Sequence, residues 1–320
     1  MRTLIFLIGG LWVCSHSIYA VDWDVYVAKY KQDKVCAISY TFDDGLAEHY
    51  TVVFPELEKR GFKGTFWICG CYIEQGAAAK VPRMTWAQLK DMANKGHEIS
   101  NHSWSHKKMS RLPLERIKEE IEKNDSAIFA NIGIRPVTYC YPYNYKPDTI
   151  FQVASKNRVG TRVRQFSMGG WKSSSQRFTK WLEDLIKNEE WGVAMTHGIN
   201  YGYDAFKSPD LFWEHLDEVK SLSDKIWIAT FRQVASYIKE REKIQLKVSG
   251  RKDGLVITPE LKLDKKLFAE SLTMVLKGQK VENVSVIQKR KQLSVGVIGD
   301  KIIFDFNPYN GPIKVYLNAK

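Results

Sequence analysis

Cysteine is scarce in this chain. There are five in 320 residues. One, Cys14, lies in an N-terminal apolar run, leaving Cys36, Cys69, Cys71 and Cys140, too few for a disulfide-stapled scaffold. Cys36 and Cys140 fall in strand-like apolar runs, where a thiol serves as a small hydrophobe, and an isolated Cys69-Gly70-Cys71 is a weak zinc signature. Past the first twenty residues no apolar run is long enough for a transmembrane helix, and there is no internal repeat or low-complexity segment. Negative charge is also short: 48 Lys and Arg stand against 36 Asp and Glu, a net +12. From Arg241 onward the balance is 16 to 8, so the tail holds most of the excess. Such a tail suits an anionic surface or an acidic glycan, although a soluble basic face with no partner is the simpler reading. No nucleic-acid recognition motif accompanies the charge, so that partner is set aside.

What is present begins with a leader. Arg2 precedes "LIFLIGGLWV", followed by short polar residues and Ala20. This is the layout of a cleaved signal peptide over residues 1–20 and predicts export. Val13 is bulkier than the residue that lipid attachment at Cys14 requires, so a lipoprotein anchor fits less well.

From about Val35 to Ile238, short β-branched runs alternate with amphipathic stretches. "VCAISYTF", "GTFWIC", "HEIS", "VTYCY", "VGTRV", "GVAMTH" and "IWIA" read as strands. Between them, "EHYTVVFPELEKRG" closes on Gly61 as a helix does. "TWAQLKDMANKG" opens with Thr85 and Gln88 at capping-box spacing, and "LERIKEEIEKNDSAIF" sets Ile117, Ile121 and Ile128 on one face. Alternating strands and helices predict an α/β fold with parallel pairing, either doubly wound or a barrel. After Ile244 the runs turn short and alternating, the pattern of a small all-β module, a sandwich. The expected division is residues 21–242 and 243–320, separated at "KEREK".

Functional side chains of a parallel α/β fold gather at the strands' carboxyl ends. The first expected strand ends in Asp43-Asp44, the third in "NHSWSH" with His102 and His106, the fourth in "YPYN" with Tyr143, and the sixth in "THG" with His197. Taken alone, the two adjacent aspartates read as a solvated turn; their company on one rim argues against that. If they open a helical turn, His102 and His106 at i, i+4 share a face. Two imidazoles and one carboxylate satisfy a zinc ion and leave a position for water. One aspartate is then a ligand and the other free to act as a base, and a bound cation offsets their repulsion.

"TFDDG", "HSWSH", "YPY" and "THG", in that order, resemble the successive motifs of the NodB-type polysaccharide deacetylases, carbohydrate esterase family 4. The resemblance runs from about Val35 to Tyr237. It implies a distorted (β/α)7 barrel and a divalent metal, usually Zn2+. Carried over by motif position, it implies Asp43 as general base, Asp44, His102 and His106 as metal ligands, Tyr143 as a backbone donor to the oxyanion, and His197 as general acid. Two departures stand out. Cys140 occupies the place of an arginine found in many members, and the aspartate-tryptophan motif that orients that arginine is missing. Arg162 and Arg164, near the end of the fifth expected strand, are candidates to tune Asp43 instead.

The expected function is an exported metal-dependent deacetylase removing N-acetyl groups from a polysaccharide or oligosaccharide. Alternatives are an O-acetyl esterase acting on a glycan such as xylan, and a non-catalytic glycan-binding member. Trp104, Trp171, Tyr201 and Tyr203 are candidates to stack on sugar faces. His97, at the start of its strand, reads as structural, and His49 and His215 read as surface residues.

Overall fold

The computed structural model describes residues 23–75, 80–281 and 283–317. The leader expected over residues 1–20, with Cys14, lies outside them. β1 (Asp24–Val27) is followed by β2 (Cys36–Asp43), β3 (Thr65–Ile68), β4 (Glu98–Asn101), β5 (Thr138–Cys140), β6 (Gly160–Arg162), β7 (Phe166–Ser167), β8 (Trp191–Thr196) and β9 (Ile226–Ile228). β2 to β9 form an eight-stranded sheet in the order β6-β5-β4-β3-β2-β8-β7, with β9 also on β2. All of these pairings are parallel. All seven strands expected in this part of the chain form; the addition is β7, two residues long and too short to show a period. The sheet curls into a half-barrel whose edges, β6 and β7, are consecutive in the chain, rather than a closed seven-stranded ring.

The helices α1 (Phe54–Arg60), α2 (Trp86–Asn94), α3 (Leu114–Ile132), α4 (Asp148–Ser155), α5 (Ser175–Asn188), α6 (Asp210–Ser221) and α7 (Phe231–Lys243) cover the sheet. Their ends follow local chemistry. Thr85 and Gln88 close a capping box on α2, and Gly61 ends α1 at φ 71°, a conformation that costs a residue with a Cβ. Before α1 the chain takes a π-helical turn over His49–Val53, where Pro55 has no N–H to continue an α-helical ladder. Ile117, Ile121 and Ile128 are buried on one face of α3. No helix among the described residues is long and apolar enough to cross a membrane.

The remaining strands are β10 (Gln245–Arg251), β11 (Gly254–Glu260), β12 (Leu272–Lys277), β13 (Val284–Gln288), β14 (Lys291–Gln292), β15 (Val295–Ile298), β16 (Lys301–Phe306) and β17 (Ile313–Leu317). They make two sheets, β10-β11-β17-β13-β14 and β1-β12-β16-β15, whose inward residues share one core. Two features cross the division expected at residue 242. β1, from the N-terminal side, pairs antiparallel with β12, and Ala37, Trp227, Val234 and Tyr237 of the α/β part pack in the same core as Leu272, Met274 and Leu276. Part of the tail's basic excess is matched locally, Lys247 by Glu260, Arg251 by Asp253 and Lys301 by Asp33.

Two histidines expected on the surface are inside: His49 is 0% and His215 3% exposed. Each lies on the inner face of its helical segment, and His215 Nε2 shares a hydrogen bond of 3.0 Å with the Tyr40 hydroxyl. His97 is structural, accepting from the Gly64 N–H and reaching Glu58. Burial pushes all three imidazoles down from their ordinary value to about 4.

Truncation after Lys243 should therefore yield an insoluble or strongly destabilised chain, since it strips β1 of its partner and uncovers Trp227 and Tyr237; a soluble truncated form with the parent melting temperature would contradict the shared core. The buried histidines fix an acid limit. The unfolded chain binds protons near pH 6.5 while the folded chain refuses them until about 4, so stability is full above 6.5 and erodes as pH falls toward 4, by up to about 3 kcal/mol per histidine. His215→Gln should make that erosion shallower in denaturation titrations across the window.

Candidate active site

β2 delivers Asp43 at its last residue, buried at 2% exposure. The backbone then turns left-handed at Asp44 (φ 76°) and Gly45 (φ 70°). Asp44 is tied down there: its N–H donates to the Trp67 carbonyl, and its own carbonyl accepts from Arg83 Nη1 at 2.8 Å. This left-handed turn separates the two carboxylates. The Asp44 carboxyl goes to the imidazoles, with Oδ1 standing 3.7 Å from His102 Nε2 and 3.6 Å from His106 Nε2.

His102 and His106 converge, but not through a helical turn. The segment is an irregular loop with Ser103 at φ 68° and His106 at φ 51°. Side chains of low local signal hold it. Asn101 Oδ1 accepts from the Ser103 N–H, Ser103 Oγ from the His106 N–H, and Glu120 on α3 from the N–H and hydroxyl of Ser105. Asn124, also on α3 and fully buried, donates to the Ile68 carbonyl and to Asn101 Oδ1. Left-handed backbone at residues other than glycine is uncommon and persists only where the surroundings enforce it.

The donor set fits a divalent cation. His102 Nδ1 lies 2.9 Å from the Cys140 carbonyl, which can only accept, so Nδ1 bears the proton and Nε2 is a bare lone pair. Burial also keeps this ring neutral, its pKa pushed down to about 4. A lone pair thus faces Asp44 Oδ1, a buried oxygen with no hydrogen-bond partner among the described residues. That opposition is unfavourable unless a cation sits between them. Ligands about 2.1 Å from a shared tetrahedral ion lie about 3.4 Å apart, close to the spacing of Asp44 Oδ1 from each of the two imidazoles. The Cys69 and Cys140 thiols are also near the aspartates and His102. Burial pushes both thiols well up from their ordinary value, and Cys69 Sγ donates to the His102 carbonyl.

Arg162 closes on Asp43. It ends β6 directly beside Cys140 of β5 in the parallel register. Its Nη1 donates to Asp43 Oδ1 at 2.7 Å and to Thr41 Oγ1 at 2.9 Å, and Nη2 donates to Asp43 Oδ2. Burial pushes the Asp43 pKa up, but the Arg162 charge and hydrogen bonds outweigh it and hold the carboxyl well below the usual carboxylate range. The cation missing at Cys140 therefore comes from the adjacent strand. Arg164, past the strand end, is exposed and makes no bond to Asp43.

His197 follows β8, its Nε2 4.0 Å from Asp43 Oδ2. Two neighbours that sequence reasoning missed fix its loop. His49 Nε2 donates to the His197 carbonyl at 2.6 Å, and the Glu48 carboxylate accepts from the N–H groups of Ile199 and Asn200. The only local signal was the acidic residue beside His49.

These groups line a cavity of about 480 Å³. Tyr143 (φ 56°) borders it with its ring 4.7 Å from that of His106, and Tyr203 lies edge-on to His197 at 5.1 Å. The other aromatic candidates do not line it. Trp104 packs over Gly70 and under Lys123, the Tyr201 hydroxyl accepts from the Glu48 N–H, and Trp171 is 76% exposed.

The profile of the family described as polysaccharide deacetylase matches residues 30–161. Among similar proteins, the peptidoglycan-N-acetylglucosamine deacetylase PgdA of Listeria monocytogenes is 30% identical over 118 residues, 37% of this chain and 23% of that protein. The peptidoglycan-N-acetylmuramic acid deacetylase PdaA of Bacillus subtilis is 26% identical over 171 residues, 51% of this chain and 60% of that protein. The chain thus spans less than two thirds of either. A crystal structure from Mycobacterium smegmatis superposes with a TM-score of 0.53 at 14% identity, covering 68% of this chain and 94% of that one, a likeness of fold. The deacetylase profile spans "TFDDG", "HSWSH" and "YPY", so residues 30–161 carry the match to the polysaccharide deacetylase family.

Proposed function

We propose that this chain is an exported, metal-dependent deacetylase that hydrolyses N-acetyl groups of a polysaccharide or oligosaccharide. One observation carries the reading: a buried carboxylate oxygen of Asp44 faces the imidazoles of His102 and His106, beside a second carboxylate and a third imidazole, Asp43 and His197, 4.0 Å apart. Asp44, His102 and His106 would hold a divalent cation, zinc by resemblance, which supplies Lewis acidity toward a water and the acetyl carbonyl.

The chain's own groups then divide the work. Asp43, ionised and free of the metal set, accepts the proton of the attacking water. Arg162 holds that carboxylate in one orientation, at the cost of its basicity, because a base works best with a pKa near the working pH. Its larger contribution is to keep a buried charge paired; leaving one unpaired costs about 3–5 kcal/mol. The Tyr143 backbone N–H serves as oxyanion donor, a contribution of about 3 kcal/mol. His197, carried on the loop clamped by Glu48 and His49, gives its proton to the departing amine. Acetate and a free amino sugar are the products. Arg162 on Asp43 supports the catalytic reading over a non-catalytic member, since it supplies a cation where Cys140 cannot.

Asp43→Asn should lose nearly all acetate release yet retain one tightly bound metal per chain by elemental analysis, whereas His102→Ala should lose both. Acetate release from Asp43→Asn at the parent rate would remove the hydrolytic reading. Chelation should silence the parent enzyme reversibly, and a panel of chitooligosaccharide against acetylated xylan separates amide from ester hydrolysis. Arg162→Ala should cut turnover by about 100-fold with metal content kept, while Arg164→Ala should change it less than about twofold. Equal effects of the two would contradict the assignment of Arg162.

A further inference from the structure

Asp204 borders the same cavity on the loop after His197, and no motif points to it. Its backbone is left-handed, φ 53°. Two glycines make room for it: a Cβ on Gly169 would stand 1.9 Å from the Asp204 carbonyl oxygen, and one on Gly170 3.1 Å from its Oδ1. The Gly170 N–H donates to the Ala205 carbonyl, and the Gly198 N–H to that of Tyr203. The backbone on both sides of Asp204 is thus held at the cavity wall.

The charges around it are unequal. Asp43 is paired with Arg162, and Asp44 faces the imidazoles. Asp204 has no cationic partner among the described residues. Arg162 is the one arginine or lysine lining the cavity among those residues, and both its Nη atoms are committed to Asp43. Asn144, Gln165 and Ser167 supply the neutral polar wall. Apart from the proposed metal and His197, a substrate entering here meets hydroxyl-binding groups and a negative charge, with no free lysine or arginine to receive an acidic substituent.

We propose that Asp204 is a specificity-determining residue that steers the cavity toward uncharged N-acetylated sugars and against sugars bearing a carboxylate. The inference rests on the deacetylase reading. A like charge at the wall of a half-enclosed cavity repels an incoming carboxylate, and replacing a neutral group by that charge is felt as about a fivefold change in affinity.

The test compares an oligomer of N-acetylglucosamine with an equally long glycan in which N-acetylmuramic acid alternates, its lactyl ether supplying the carboxylate. Acetate release and equilibrium binding are measured for both on the parent protein and on Asp204→Asn, which tolerates the same backbone. The parent should prefer the neutral chain by about tenfold, and Asp204→Asn should shrink that preference about fivefold at an unchanged melting temperature. A parent with no preference, or a preference that survives Asp204→Asn intact, overturns the proposal. No acetate from either glycan counts against the deacetylase reading alone, and the ratio of binding constants then still decides for or against Asp204.

Discussion

The backbone sends two carboxylates on consecutive residues to different surroundings, an arginine for Asp43 and a pair of imidazoles for Asp44. The left-handed turn at Asp44 is the constraint on which the site depends. It leaves Asp43 at the strand end, where Arg162 neutralises it, and swings Asp44 toward two imidazoles whose neutral form suits a metal. Were Asp44 to continue as strand, its side chain would point to the opposite face of the sheet from Asp43, away from the imidazoles.

That turn is one of several strained positions on the same rim. Ser103, His106, Tyr143 and Asp204 share the left-handed conformation, each from a different strand-end loop or from the same one as a proposed ligand. Such backbone costs about 1–3 kcal/mol at each residue and needs support. The support is visible in the polar groups behind the rim. Asn124 ties the ends of β3 and β4, Glu120 holds the loop between the two histidines, and Glu48 with His49 grips the loop of His197. They touch no substrate, yet they set the orientation of the groups proposed to do so.

At the opposite end the α/β part and the β-sandwich share a core, so the sandwich braces the sheet that presents the site. The pairing of β1 with β12 draws the N-terminal side of the chain into the same structure. A module that looks separable by composition is joined by packing.

By itself, the amino-acid sequence determined the local features: strand and helix types, their alternation, the caps at Thr85 and Gly61, and the order in which Asp43-Asp44, His102, His106, Tyr143 and His197 arrive at strand ends. These follow from periods of two and 3.6 residues and from residues with special backbone preferences, all readable within a short window. Tertiary structure decided the rest. That Arg162 and not Arg164 reaches Asp43 depends on the register of β6 against β5, bringing together residues 119 apart in the chain. The burial of His49 and His215, the place of β1 in the sandwich, the exclusion of Trp104 from the cavity and the isolation of Asp204 within it depend likewise on which distant segments pack together. A hydrophobic pattern says which face of an element is inside; only the assembled fold says what that face meets.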